Sequence, residues 1–307
     1  MHIYDTLVIG GGPGGYAAAL YAARAGLSCL VFEKMSVGGQ LTLTDTVENY
    51  PGFDEGIDGF TLGMRMQSGA ERFGAITKYE EVISLGLTEQ PKRIVTTEGE
   101  YYAHTVVLAT GAVPRKLGFA REDDFVGRGV HYCAHCDGRF YRGRTVVVVG
   151  GGNSAVEDAL YLSDLAERVY LVHRRDTLRA EGILAQAILE RENVSFLPNM
   201  RLSELLGEDK ISGALIEDVK TGEKRELCAD GVFVSIGRTP VSELFSSELE
   251  TDAGGYVVAD ESTRTAIAGV MAVGDLRTKP LRQIVTAVAD GAVAVHYIKE
   301  YLTLVKK

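Results

Sequence analysis

The chain has 307 residues, a length that suggests about two domains, and 46% hydrophobic and 24% charged residues, a balance that allows a sizeable buried core. A formal net charge of −10 argues against nucleic acid or a membrane surface as the partner, because both are polyanions. No apolar run approaches the ~20 residues that span a bilayer, and four cysteines do not make a disulfide scaffold.

The chain enters an apolar strand almost at once. It shows no basic segment followed by a long apolar stretch, so a cytoplasmic protein is expected. Residues 5–34 read as a βαβ unit: an apolar β-rich run, a glycine cluster, a stretch with apolar residues at helical spacing, and a second apolar run. The cluster is Gly10-x-Gly12-x-x-Gly15, following a strand and opening a helix, as a dinucleotide fingerprint must. Gly10 serves the tight turn, Gly12 lets the backbone approach a pyrophosphate, and Gly15 allows close helix packing. Glu33 stands 23 residues after Gly10, where an acid hydrogen-bonds a free ribose 2′-hydroxyl. The ligand expected there is NAD or FAD and not NADP.

Residues 105–114 run as a buried strand into a glycine and then Pro114. Beyond it lies Cys133-Ala134-His135-Cys136, followed by Asp137. A CxxC pair among βαβ units reads as redox-active, with reactivity set by its thiolate fraction. Asp137 is placed to move protons to or from a sulfur or a flavin. Zinc is the competing reading, with His131, Cys133, His135 and Cys136 as ligands. Adjacent residues would then have to wrap one ion without a second CxxC, so no metal is expected. Cys29 and Cys228 stand alone and read as small buried hydrophobes.

Residues 144–175 repeat the βαβ pattern, with Gly150-x-Gly152-x-x-Ala155 as the cluster. The residue 23 after Gly150 is His173, followed by Arg174, Arg175 and then Arg179. No acid stands where Glu33 stood, and guanidinium groups there suit a 2′-phosphate. This is an NADPH reading. NADPH delivers a hydride, which a flavin accepts and releases singly or in pairs, so FAD is the more useful ligand at the first cluster.

Residues 231–240 resemble 105–114, again a strand, a glycine and then Pro240. The remaining 241–307 is too short for a third domain. It holds a strand candidate at 269–273, then Gly274-Asp275, then a helical run from about Leu281. Asp275, at a strand end, can accept hydrogen bonds from a polyol such as a ribityl chain; its plain alternative is a helix N-cap. The economical architecture is α/β. It has two Rossmann-like, doubly wound, three-layer nucleotide-binding domains, the second inserted in the first. The FAD-binding domain is 1–113 plus 241–307, and 114–240 is the NADPH-binding domain carrying the CxxC. Gly and Pro lie near both crossings, so a rotation of the inserted domain about them is expected.

The chain resembles the low-molecular-weight, bacterial-type NADPH–thioredoxin reductases over essentially its full length. The segments that carry the resemblance include GGGPGGYAAALYAARAG, GGQL (38–41), ENYPGF (48–53), ATGA (109–112), GRGVHYCAHCDG (127–138), HRRDTLRAE (173–181) and GDLRTKPLRQIVTAVADG (274–291). The resemblance implies an FAD site on Gly10, Gly12, Pro13, Gly14 and Gly15, on Glu33 to Gln40 (Lys34 and Gly39 among them), and on Asn49, Ala112, Asp275, Arg282 and Gln283. It implies an NADPH site on Gly150, Gly152, Asn153, Ser154, Ala155, His173, Arg174, Arg175 and Arg179. Cys136 is then the sulfur next to the flavin, Cys133 attacks the partner's disulfide, and Asp137 is the acid.

The implied protein is an NADPH-dependent thioredoxin-disulfide reductase, a flavoprotein homodimer whose partner is thioredoxin or a thioredoxin-like disulfide. Two departures concern the partner: His135, where the family often has Thr, and Arg139-Phe140, where it often has an aromatic or apolar pair. The alternative is the reductase of a peroxiredoxin system, which normally carries a long N-terminal extension with its own CxxC. A ferredoxin reductase lacks the CxxC, and a flavin monooxygenase usually carries a Trp in its linker motif, whereas this chain has no Trp.

Overall fold

The computed structural model describes residues 2–34, 37–44 and 46–306. The chain divides into two compact units, one running to Val113 and resuming at Thr239, the other Pro114–Arg238.

In the first unit the chain forms β1 (Ile3–Ile9), α1 (Pro13–Arg24), β2 (Cys29–Phe32), α2 (Gly59–Glu71), β3 (Ile76–Lys78), β4 (Val82–Gly86), β5 (Lys92–Thr96) and β6 (Glu100–Leu108). β1 lies parallel to β2 and to β6, and β2 parallel to β3. β4 and β5 then extend the sheet antiparallel from the first half of β6. The chain leaves through β7 (Ala112–Pro114).

The second unit opens with β8 (Val130–His131) and the one-turn helix α3 (Ala134–Asp137), then β9 (Thr145–Val149), α4 (Asn153–Ser163), β10 (Arg168–His173), α5 (Gly182–Leu189) and β11 (Val194–Pro198). Next come the antiparallel strands β12 (Met200–Gly207), β13 (Ile211–Asp218) and β14 (Lys224–Cys228), and β15 (Gly231–Val234). Its parallel sheet has the order β11-β10-β9-β15-β8. β9 is five residues, Thr-Val-Val-Val-Val, because a strand covered on both faces gains from an apolar side chain at every position. Val146 and Val148 meet Ala155, Ala159 and Leu162 of α4, whereas Val147 and Val149 meet Leu202, Ala214 and Ile216. The three layers are therefore helices, parallel sheet and an antiparallel meander.

The chain returns through β16 (Arg238–Pro240), which pairs with β7. β17 (Val270–Ala272) joins the second half of β6 in parallel, and α6 (Ile284–Val305) follows. The segment after 240 thus completes the first unit's sheet. Gly291 lets α6 press on α1: a Cβ there would stand 2.4 Å from the Gly14 carbonyl oxygen. Ala18, Ala22, Ala294 and Ile298 cover one sheet face, and Phe245, Leu249, Val257 and Leu276 cover the other.

Among the described residues, no helix is long and apolar enough to cross a membrane. The two lone cysteines differ: Cys29 is buried, but Cys228 is exposed and corrects the expectation of a buried thiol. Cys228 ends β14, which pairs with β13 at the margin of the meander and is mostly exposed.

Candidate active site

The first glycine cluster links β1 to α1. Gly10 has φ +107°, and a Cβ there would sit 2.4 Å from the Ala109 carbonyl oxygen, so only glycine fits. A Cβ on Gly15 would lie 2.0 Å from the Gly10 carbonyl oxygen. Gly12 differs, because nothing stands within 4 Å of its Cβ direction. It is the N-cap of α1, makes no side-chain cap bond and is followed by Pro13 at the first helical position. The free N–H groups of that turn and the positive end of the helix dipole suit a pyrophosphate.

Around this end the structure collects Glu33, Gly39 and the turn that carries Asp275. Glu33 Oε2 accepts the Gly11 N–H at 2.8 Å, which binds the second strand's end to the glycine turn. Gly38 N–H donates to the Gly11 carbonyl at 2.8 Å, and Gly39 lies beside Gly12. Gln40 is exposed in the turn that follows, and Met35 and Ser36, inside the predicted stretch, lie outside the described residues. Lys34 points elsewhere, to Glu81 at 2.6 Å, with both side chains exposed. Asn49 Nδ2 donates to Gln283 Oε1 at 3.1 Å, and Gln283 caps α6 through a reciprocal bond pair with Thr286. Asp275 therefore is not the cap of that helix. It sits half-buried in a short turn after β17, and the Gly274 N–H of that turn lies 3.6 Å from a Cβ built on Gly14. Ala112 is buried in β7.

Arg282 lies with its guanidinium carbon 3.9 Å from the Tyr256 ring centre, and its buried Nε has no hydrogen-bond partner among the described residues. Such a buried donor calls for an acceptor. With the open face of Gly12, it makes this a fitting cradle for a dinucleotide such as FAD.

The second unit repeats the device. Gly150 has φ +154°, with the Ser235 carbonyl oxygen 2.4 Å from its Cβ direction, and Gly152 is an uncapped helix N-cap facing open space. His173 holds the place that Glu33 holds in the first unit: a Cβ on Gly151 would strike its ring at 2.4 Å, as one on Gly11 would strike Glu33 at 2.8 Å. His173 is buried and its Nε2 lacks a partner among the described residues. Its pKa is lowered by burial and by the charges of Arg179, Arg175 and Arg174, so the imidazole is held neutral. These three arginines are exposed, and the Arg179 N–H donates to the Gly151 carbonyl at 2.6 Å, tying the basic segment to the glycine turn. Asn153 exchanges two bonds with Glu181, Ser154 is exposed and Ala155 is buried. The uncapped helix end, the cationic edge and the unpartnered Nε2 suit a nicotinamide dinucleotide that carries a 2′-phosphate.

The cysteine pair occupies α3 of the same unit. Cys133 is its N-cap, and Cys133 and Cys136 form a disulfide with their Cα atoms 5.3 Å apart. Both are half-buried. The N–H groups of Cys136 and Asp137 turn back to the Cys133 carbonyl at 3.3 and 3.2 Å. Gly138 lets this turn press on α4, since a Cβ there would meet the Tyr161 ring at 2.9 Å. The His135 ring lies tilted against Tyr161, with centroids 4.3 Å apart. Arg139 and Phe140 are exposed. Asp137, half-buried, stands with Oδ2 3.1 Å from His131 Nδ1.

The sequence profile of the pyridine nucleotide-disulphide oxidoreductases matches residues 4–291. The chain belongs to that family. Relatives agree over the whole length. The chain is 46% identical to a thioredoxin reductase of Treponema pallidum (strain Nichols) over 299 residues, 97% of each chain. It is 43% identical to that of Listeria monocytogenes over 306 residues, 99% of this chain and 96% of the relative. Among solved structures, the thioredoxin reductase from Streptococcus pyogenes MGAS5005 superposes with a TM-score of 0.91 at 44% identity, covering 98% of this chain and 99% of that one.

For a pyridine nucleotide-disulphide oxidoreductase, sequence reasoning missed several supporting residues. Gly151 is needed to make room for His173, and a glycine between two motif glycines gives no separate signal. Asp290, buried on α6, accepts the Gly274 N–H at 2.8 Å together with Arg277 and Lys279. His131 reads by spacing as a zinc ligand, yet it is the neighbour of Asp137.

Proposed function

We propose that this protein is an NADPH-dependent thioredoxin reductase in which the first unit binds FAD and the second binds NADPH and carries the reacting disulfide. When bound, FAD supplies the conversion between hydride transfer and thiol–disulfide exchange. The chain's own residues do the rest. The Gly10–Gly15 turn and the N-terminus of α1 bind the FAD pyrophosphate, with Asp275, Arg282 and the Asn49–Gln283 pair orienting the remainder. The Gly150–Ala155 turn binds the NADPH pyrophosphate, and Arg174, Arg175 and Arg179 clamp its 2′-phosphate, with neutral His173 beneath it. Cys133 attacks the partner's disulfide, Cys136 completes the exchange, and Asp137 holds and moves the proton at the sulfur. The oxidised partner is the disulfide of thioredoxin or a thioredoxin-like protein, and the assembly is a cytoplasmic homodimer.

The observation that carries this reading is the Cys133–Cys136 disulfide, closed over one helical turn with Asp137 directly behind it. It sits in the unit that has His173 and flanking arginines where the first unit has Glu33. The test is NADPH oxidation by the FAD-loaded protein with thioredoxin as acceptor. Turnover that disappears in Cys133→Ser and in Cys136→Ser supports the reading. NADPH oxidation indifferent to thioredoxin, or equal with NADH, refutes it.

A further inference from the structure

His131 is a buried histidine two residues before the reacting pair, 7% exposed. Its Nδ1 stands 3.1 Å from Asp137 Oδ2, and its Nε2 stands 2.7 Å from the Tyr141 hydroxyl. The ring stacks on Phe233 at 5.2 Å between centroids, and Tyr141 lies edge-on to both. The Tyr141 ring is fixed in turn, since a Cβ on Gly231 would strike it at 2.4 Å. Two aromatic side chains, one of them backed by a glycine, therefore hold the plane of the imidazole.

Hydrogen-bond chemistry then sets the proton. Burial, with the negative charge of Asp137 behind it, pushes the Tyr141 hydroxyl up to about 12; Arg144 opposes this and Asp230 adds to it. Tyr141 thus keeps its proton and can donate it to Nε2. Oδ2 accepts from the nitrogen that faces it whether the carboxyl group is ionised or carries its proton on the other oxygen, so that nitrogen carries a hydrogen. In a neutral ring this is the Nδ1–H tautomer with Nε2 accepting from Tyr141; in a charged ring both nitrogens donate. Either way an N–H is aimed at Oδ2, and the other Asp137 oxygen is left for the reacting groups.

We infer that His131 is the positioning residue of Asp137. It pins one carboxylate oxygen through Nδ1–H, backed by Tyr141, so that the other oxygen meets the sulfur that needs a proton. The inference rests on the reading of Asp137 as the proton carrier. Reduction of the disulfide breaks one S–S bond and takes two electrons from NADPH. It leaves two sulfur anions, one of which receives its proton from Asp137. A carboxyl group free to rotate delivers that proton less often, while the binding of thioredoxin is unaffected.

The test uses the FAD-loaded enzyme with NADPH and thioredoxin. His131→Phe keeps the ring and its stack on Phe233 but removes both polar contacts. His131→Asn restores a donor close to the position of Nδ1. We expect His131→Phe to lower kcat about ten-fold or more, with KM for thioredoxin changed by less than about two-fold, because general acid–base groups contribute to the chemical step and not to partner binding. We expect His131→Asn to recover kcat to within about three-fold of wild type. NADPH oxidation with a small quinone, which bypasses the cysteine pair, checks that each variant is loaded and folded.

Asp137→Asn separates the two readings. If it turns over normally, the role of Asp137 fails and the inference with it. If Asp137→Asn is impaired but His131→Phe is not, only the inference fails. Equal losses in the Phe and Asn variants of His131 also overturn it, because the bond through Nδ1 would then not matter. A readout independent of turnover is the nitrogen spectrum of protein labelled with ¹⁵N-histidine. His131 must show a protonated Nδ1 whose proton signal changes in Asp137→Asn, and a neutral ring protonated only on Nε2 refutes the proposal.

Discussion

Changing Asp290 to Asn keeps the shape of the side chain and removes its charge. In the native protein the two carboxylate oxygens accept four donors: the Gly274 N–H at 2.8 Å, Arg277 Nε at 2.9 Å and Nη2 at 2.8 Å, and Lys279 Nζ at 2.7 Å. The Arg277 side chain is 1% exposed, that of Lys279 4% and that of Asp290 6%. Burial alone would push Arg277 towards losing its proton; Asp290, with Glu261 further out, outweighs this and holds its pKa raised. Asp290→Asn leaves two buried cations without their anion. Glu261 cannot take over, because its carboxylate is 3.4 Å from Arg277 and its side chain 88% exposed, so solvent screens it.

Removing one partner of a buried pair costs about 3–5 kcal/mol. At about 2–4 °C per kcal/mol for a unit of this size, the melting temperature should fall by about 6–20 °C. The amide keeps one oxygen, which the Gly274 N–H must share with Arg277 and Lys279 without the negative charge, while its NH2 meets the Arg277 Nη2 donor, so the turn carrying Asp275 loosens. We therefore expect FAD retained through gel filtration to fall with the melting temperature. Thermal unfolding and the ratio of flavin to protein absorbance measure both. A variant that melts within about 2 °C of wild type with full flavin content refutes this account of the network.

Three further predictions concern the other sites. Arg174→Ala and Arg179→Ala should each lower kcat/KM for NADPH by about 10- to 150-fold, the value of one charged hydrogen bond, and leave NADH use nearly unchanged; equal losses with both nucleotides refute the 2′-phosphate role. His173 has a folded-state pKa below its ordinary 6.5, so between those values the unfolded chain binds the extra proton. Stability should be complete above about pH 6.5 and decline as pH falls below it; a melting-temperature profile of similar steepness in His173→Gln would show that another group is responsible. Cys133→Ser and Cys136→Ser should abolish thioredoxin reduction while NADPH oxidation with a small quinone persists, and loss of both activities in either variant would place the cysteine upstream of its proposed step.

What could be read from the sequence was what sterics and strand order force locally. Gly10, Gly15 and Gly150 are legible because a backbone turn packed against a neighbouring carbonyl admits no Cβ, and that constraint repeats at fixed spacing. The return of residues after 240 to the first unit was legible because a strand with Gly274-Asp275 behind it needs a sheet to join, and β6 supplies an edge for β17. The meander β12–β14 as a third layer was not legible. Its strands carry charged outer faces, and only the contact of Leu202, Ala214 and Ile216 with the far side of β9 shows what they cover.

The same limit explains the site residues that were missed. Asp290 reads as one acid on a long helix until folding brings Arg277 and Lys279 to it. His131 reads as a candidate metal ligand by spacing, since sequence separation from Cys133 and Cys136 says nothing about which way the ring faces. Its orientation is set by Phe233 and by Gly231, about a hundred residues downstream. Motifs that act through the backbone are written in consecutive residues. The groups that aim those motifs come from distant strands and helices, so their roles emerge only with the packing that joins them.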